Sequence, residues 1–185
     1  MECLMNEWIF ISHSGKDKSL AVVICDYLSD VGLLSGEEFF CTSYGNLEIG
    51  DDDISSIFDH LDRSHVLVEL VSASFLRSER CLMEVGYATA RERYAKTYPE
   101  QHDPIRFFPL LVPPVRFTRV NEKLHGSRKT GIRLDSLAQC ATVAKKLHRT
   151  LSDLGANLDE DRWKAHEGAF SRRCMDAVGQ TKRTR

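Results

Sequence analysis

His65-Val-Leu-Val-Glu-Leu-Val71 is nearly continuous in apolar residues, the pattern of a β-strand covered by helices on both faces, with Glu69 as its one discordant member. A central strand of this kind needs neighbours and helical connections, and the flanking sequence supplies both. Trp8-Ile-Phe-Ile11 is a short β-prone run stopped by Ser12-His-Ser-Gly15. Leu20, Val23, Ile24, Tyr27, Leu28 and Val31 then recur at helical spacing, and Gly32 stands where a left-handed residue ends a helix. Phe39-Phe-Cys-Thr42 reads as a second strand. The glycine-containing loop Ser43 to Gly50 leads from it to a helix that starts on Asp51 to Asp53 and carries Ile54, Ile57, Phe58 and Leu61 on one face.

Beyond the central run, Ser78 is placed to cap a long helix through Glu84, Ala88 and Ala95 toward Lys96, with Pro99 past its end. Ile105 to Val112 is a fourth strand, stopped by Pro113-Pro114, and Val115 to Arg133 reads as an irregular connection with at most one short strand near Gly131-Ile-Arg-Leu134. Leu137, Cys140, Ala144, Leu147 and Leu151 mark an amphipathic helix ending at Gly155, and Trp163, Phe170 and Met175 anchor a shorter terminal helix. The alternation predicts an α/β fold: a flavodoxin-like three-layer sandwich whose parallel sheet has four or five strands, with helices on both faces. The expected organisation is a main domain over residues 1–155 and a C-terminal helical extension over 156–185 that packs on it or trails from it.

A chain of 185 residues suffices for one such core. Its formal net charge of −2 gives no global pull toward nucleic acid or membrane, and the basic end Lys182-Arg-Thr-Arg185 reads as a solvated tail. No apolar run nears the roughly 20 residues of a membrane helix, and no signal-peptide pattern opens the chain. Its six cysteines are scattered singly. These features predict a cytoplasmic protein with reduced thiols, no structural metal, and neither nucleic-acid nor membrane partners.

Ligands of such sheets bind beyond the carboxyl ends of the strands. Those ends carry Ser12-His13-Ser14, the Ser43 to Gly50 loop, and the segment from Ser72 to Ser78 that leads into Glu84. Three ordered blocks, Phe10-Ile-Ser-His-Ser-Gly-Lys-Asp17, Gly45-Asn-Leu-Glu-Ile-Gly50 and Ser78-x-x-Cys81-x-x-Glu84, closely resemble those of bacterial Toll/interleukin-1 receptor (TIR) domains. The resemblance implies a five-stranded parallel sheet and a self-assembly loop after the second strand, here carrying Gly45, Leu47, Ile49 and Gly50. It also implies, in enzymatic members, a catalytic glutamate early in the third helix, a position matched by Glu84. The family motif usually has tryptophan before the cysteine; Arg80 stands there instead, while Cys81 is retained.

The nucleotide contacts that the family makes after its first strand fall on Ser12, His13 and Ser14. Tyr44, Arg80 and Cys81 complete the candidate substrate-binding set, Tyr44 as a base-stacking replacement for the tryptophan and Arg80 as a phosphate contact. Asp17 reads as a helix cap or a surface residue, and Glu69 as a second acid or a carboxylate paired with a base. Three and four residues along, Glu84 shares its helix face with Cys81 and Ala88 rather than with a basic partner.

A single acid suits the implied chemistry. Glycosidases use two carboxylates because a leaving oxygen must be protonated. The nicotinamide of NAD is already cationic and departs as a neutral base, so one carboxylate can serve by stabilising the ribosyl cation or gripping its hydroxyls. The resemblance therefore implies an NAD glycohydrolase or ADP-ribosyl cyclase with NAD as substrate and no further cofactor. The chain resembles the stand-alone NAD-cleaving enzymes of antiphage defence, Thoeris-like, and this resemblance implies homo-oligomers through TIR contacts and one of two uses: depleting NAD outright, or making a cyclic or conjugated ADP-ribose signal that a separate effector reads. The alternative is a TIR interaction module without catalysis, acting as a signalling scaffold or a host-signalling mimic. A nucleoside deoxyribosyltransferase-like enzyme is a third reading, and a phospho-acceptor receiver is disfavoured because Ser12-His13 stands where a pair of acids belongs.

Overall fold

The computed structural model describes residues 8–34, 37–44, 54–100, 103–118, 120 and 131–183. Five strands, β1 (Ile9–Ser12), β2 (Phe39–Phe40), β3 (Val66–Val71), β4 (Arg106–Leu111) and β5 (Ile132–Arg133), form one sheet in the order β2-β1-β3-β4-β5. Every neighbouring pair is parallel. The apolar run that anticipates a central strand is β3, buried at all six positions. The helices are α1 (Lys18–Asp30), α2 (Ile54–Arg63), α3 (Glu79–Thr97), α4 (Leu137–Ser152) and α5 (Glu160–Arg183).

The two-residue period of the strands sorts their side chains between two cores. Ile9, Ile11, Val66, Val68 and Leu70 pack with α1, α4 and α5. Phe10 and Leu67 face the opposite side, with Ile57 and Leu61 of α2 and Ala88 of α3, and Val71 joins Cys81 and Val85 there. Ser12 and Glu69, paired in register, follow the parity of Phe10 and Leu67 and so belong to the α2 and α3 side.

Helix ends follow their local chemistry. Gly32, at φ 101°, closes α1 by donating to Ser29 O at 3.0 Å while Leu33 donates to Leu28 O at 2.9 Å, the paired bonds of a left-handed C-terminal motif. Ser78 caps α3 by accepting from Cys81 N, and Ser136 caps α4 by accepting from Gln139 N.

One expectation about length fails. The terminal helix is not short: α5 spans 24 residues. Beyond Trp163 and Phe170, the small apolar residues Cys174, Ala177 and Val178 continue its buried stripe. With Met175 packed beside them, the helix keeps burying surface against the α1 and α4 side well past Phe170.

Candidate active site

Cys81, Glu84, Val85 and Ala88 form the buried stripe of α3, spaced three, four and seven residues apart. In three of these positions the side chain is a thiol or a hydrocarbon. In the fourth it is a carboxyl group, only 4% exposed. Burying a carboxylate is costly unless it is paired, so its place in the stripe demands a compensating partner. That partner is Ser12, whose hydroxyl donates to Glu84 Oε2 from the last position of β1.

Burial is the main influence on Glu84 and pushes its carboxyl up from 4.5 to about 7. The Ser12 hydroxyl and the charges of Arg80 and His13 pull the other way, favouring the ionised form. Arg80 is solvent-exposed one turn before Glu84 and bears on it electrostatically, so Glu84 does have a basic neighbour on its own helix, contrary to the reading from Cys81 and Ala88 alone.

His13 is half-buried, with Nδ1 3.1 Å from Ser14 O. Burial lowers its pKa, but the adjacent Cys41 side chain, the Ser14 carbonyl and the Glu84 charge more than offset this, and the net direction is upward. Cys81 lies beneath the site as a wall rather than a reactive group: burial pushes its thiol up to about 11, although the hydroxyls of Ser78 and Ser12 act in the opposite direction.

Asp17 is neither a side-chain cap nor a surface residue. It is fully buried, and α1 begins at it without a side-chain cap bond. Its Oδ2 accepts from the Ser14 hydroxyl and, at 2.5 Å, from the Ser72 hydroxyl. Ser72 Oγ also accepts from Ser74 N at 3.1 Å and Phe75 N at 3.0 Å. The Asp17 bridge thus fastens the loop after β1 to the segment after β3, so that Ser12, at the end of β1, is presented to α3 beside an anchored loop. Ser14 is committed to this bridge. Sequence reasoning gave Asp17 and Ser72 no site role; the available signal was a hydroxyl next to each of two strand ends with an acid between them in the fold.

Tyr44 lies elsewhere. It packs against Phe39, a residue of the core on the α1 side, and its hydroxyl donates to Asp26 Oδ1 of α1 at 3.0 Å. The structure therefore brings Ser12, His13, Arg80 and Cys81 around Glu84, places Ser14 one bridge away, and turns Tyr44 toward the opposite face of the sheet. Gly45, Leu47, Ile49 and Gly50, with Asp51 to Asp53, lie outside the described residues. No group of three or more metal-ligating side chains occurs among the described residues.

A family model described as "TIR domain" matches residues 9–138, from the first residue of β1 to the start of α4. The chain belongs to the TIR family. TIR domains commonly self-associate and bind NAD, and in bacteria they include enzymes that cleave it. The domain is also similar to a protein described as "Uncharacterized protein YddK" from Bacillus subtilis (strain 168), with 30% identity over 91 residues. That match covers 49% of this chain and 34% of the relative, so the TIR chain spans about a third of the length of the protein it matches. No helix among the described residues is long and apolar enough to cross a membrane.

Proposed function

We propose that this TIR domain cleaves the bond between nicotinamide and ribose in NAD, with Glu84 as the catalytic carboxylate. The observation that carries the reading is a carboxyl group buried in the core stripe of α3 and held by the Ser12 hydroxyl at a strand end. A scaffold has no use for that cost, whereas a site that must stabilise a ribosyl cation does.

In the reaction the glycosidic electron pair leaves with nicotinamide, whose ring becomes neutral. The ionised Glu84 faces the developing positive charge on the ribosyl carbon or holds its hydroxyls. Addition of water and loss of one proton gives ADP-ribose; attack by an atom of the same molecule gives a cyclic product instead. Ser12, His13 and Arg80 serve by favouring the ionised carboxylate, and Arg80, exposed one turn before Glu84, also serves in this reading as the phosphate contact. A role in antiphage defence, with the product read by a separate effector, belongs to the same proposal, as does self-assembly through the loop carrying Leu47 and Ile49.

The test incubates the purified chain with NAD and follows nicotinamide by chromatography and mass spectrometry, beside Glu84→Gln verified as folded by circular dichroism. Release that is lost in the variant supports the proposal. A folded wild-type protein that releases no nicotinamide even when concentrated enough to self-associate overturns it in favour of an interaction module.

A further inference from the structure

Two apolar stripes meet where α4 packs on α5, and each contributes a cysteine to the contact. Cys140 opens the buried stripe of α4, ahead of Val143, Ala144, Leu147 and Leu151. Cys174 lies in the stripe of α5 between Phe170 and Ala177. Their sulfurs, 34 residues apart in sequence, hydrogen-bond to one another at 3.3 Å. Both residues are buried and both thiols are free.

Packing alone does not ask for this pairing, since small hydrocarbon side chains fill the same stripe at Ala177 and Val178. What two thiols add is reactivity. A sulfur–sulfur bond is about 2.05 Å long, so turning this contact into one needs an approach of about 1.2 Å, the scale on which packed helices slide past one another.

The two thiols are not equivalent. Cys140 stands at the end of the first turn of α4, where its amide donates to Ser136 O at 3.0 Å and the helix dipole favours negative charge. Cys174 therefore keeps its proton and donates. That bond pulls the Cys140 thiol below its usual value, against burial and the Asp135 charge, while the same bond and burial push Cys174 up. A nucleophilic sulfur and a second thiol that can resolve its oxidised form are thus already in contact.

We propose that Cys140 and Cys174 form a reversible disulfide site, oxidised by hydrogen peroxide, that fastens α5 to α4. The Cys140 thiolate attacks one peroxide oxygen and the O–O bond breaks. The departing hydroxide takes up the proton that Cys140 gave to solvent, leaving a sulfenic acid and one water. Cys174 then attacks that sulfur, its proton passes to the departing hydroxide, and the S–O bond breaks as the S–S bond forms. Two thiols lose two electrons and two protons, and peroxide becomes two waters.

Burial selects the reagent: a small uncharged oxidant enters through local opening between the helices, and a bulky charged one does not. Arg173, next to Cys174, pairs with Asp26, so the bond would secure a helix that also lies on α1. The helix α5 falls outside the residues matched by the family model. The thiol pair lies across the sheet from Glu84, and its oxidation does not depend on whether that carboxylate cleaves NAD.

The reduced full chain is treated with a small molar excess of hydrogen peroxide, quenched in acid, alkylated with N-ethylmaleimide in denaturant, digested with trypsin and read by mass spectrometry without reductant. The expected product, from protein that still runs as a monomer, joins the peptides Leu134–Lys145 and Cys174–Lys182 with the loss of two hydrogen atoms, and dithiothreitol separates them. The melting temperature should rise by about 5–15 °C on oxidation, from closing a loop of this length. Cys174→Ala, which keeps a small apolar side chain in the stripe, should show neither the joined peptides nor the rise. The wild-type peptides carry the result even if that variant folds poorly. Both cysteines recovered alkylated, either one bonded to a different cysteine or to a second chain, or Cys140 taken to sulfinic acid unpaired would overturn the proposal. A joined pair with an unchanged or lower melting temperature would overturn the fastening role.

Discussion

Replacing Glu84 by glutamine should stabilise the fold, and by an amount that depends on pH. In the unfolded chain the carboxyl loses its proton near 4.5, and in the folded chain near 7, chiefly because burial disfavours the charge. Between these values the folded state holds a proton that the unfolded state has released, so raising the pH through the window favours unfolding. The advantage of the protonated group is complete below 4.5 and is lost as pH passes 7. The difference between the two values corresponds to roughly 3 kcal/mol.

Glutamine occupies the same space, accepts from the Ser12 hydroxyl through its carbonyl oxygen, and never ionises. Urea unfolding of wild type and Glu84→Gln should therefore give nearly equal stabilities at about pH 5 and a variant more stable by about 2–3 kcal/mol at about pH 8. The same carboxylate is required in the proposed reaction, so nicotinamide release in the wild type should rise with pH through about 7, where Glu84 ionises. A stability difference that does not change with pH, or a variant less stable at the higher pH, would refute the reasoning that burial of this charge dominates the site.

Three further outcomes follow from single contacts. Ser12→Ala removes the hydroxyl that favours the Glu84 carboxylate, so the rising limb of the pH–activity profile should move to higher pH; a limb that stays in place would mean that Ser12 does not bear on the titration. Asp17→Ala leaves the Ser14 and Ser72 hydroxyls without their shared acceptor in a buried place and should cost about 2–4 kcal/mol in denaturant titration, against less than half of that for Asp17→Asn. Gly131→Ala would set a methyl group 2.8 Å from Leu111 Cδ1 and 2.9 Å from Pro109 O, and thermal melting should report a loss of about 1–3 kcal/mol where β5 joins β4.

The elements were legible because their signals are local. The short apolar run of β1, helical spacing through α1 and α4, and the glycines at positions 32 and 155 are each set by neighbours a few residues away. The length of α5 was not legible in the same way, since Cys174, Ala177 and Val178 look like weak anchors until the α1 and α4 side lies against them. Tyr44 shows the opposite error: a loop tyrosine near a motif suggests a ligand contact, but the side of β2 from which it leaves commits it to Phe39 and Asp26.

By itself the sequence determined the order of strands and helices, the cap at Ser78, and the place of Glu84 on the third long helix. Only the tertiary structure decided that this carboxyl is buried, that its partner is Ser12, 72 residues away, and that Asp17 bridges to Ser72 across 55. It alone brought the thiols of Cys140 and Cys174 into contact. Periodicity is a sum over near neighbours along the chain, whereas burial, desolvation and hydrogen-bond pairing are sums over neighbours in space, and a parallel sheet with helical crossovers makes those two sets of neighbours almost wholly different.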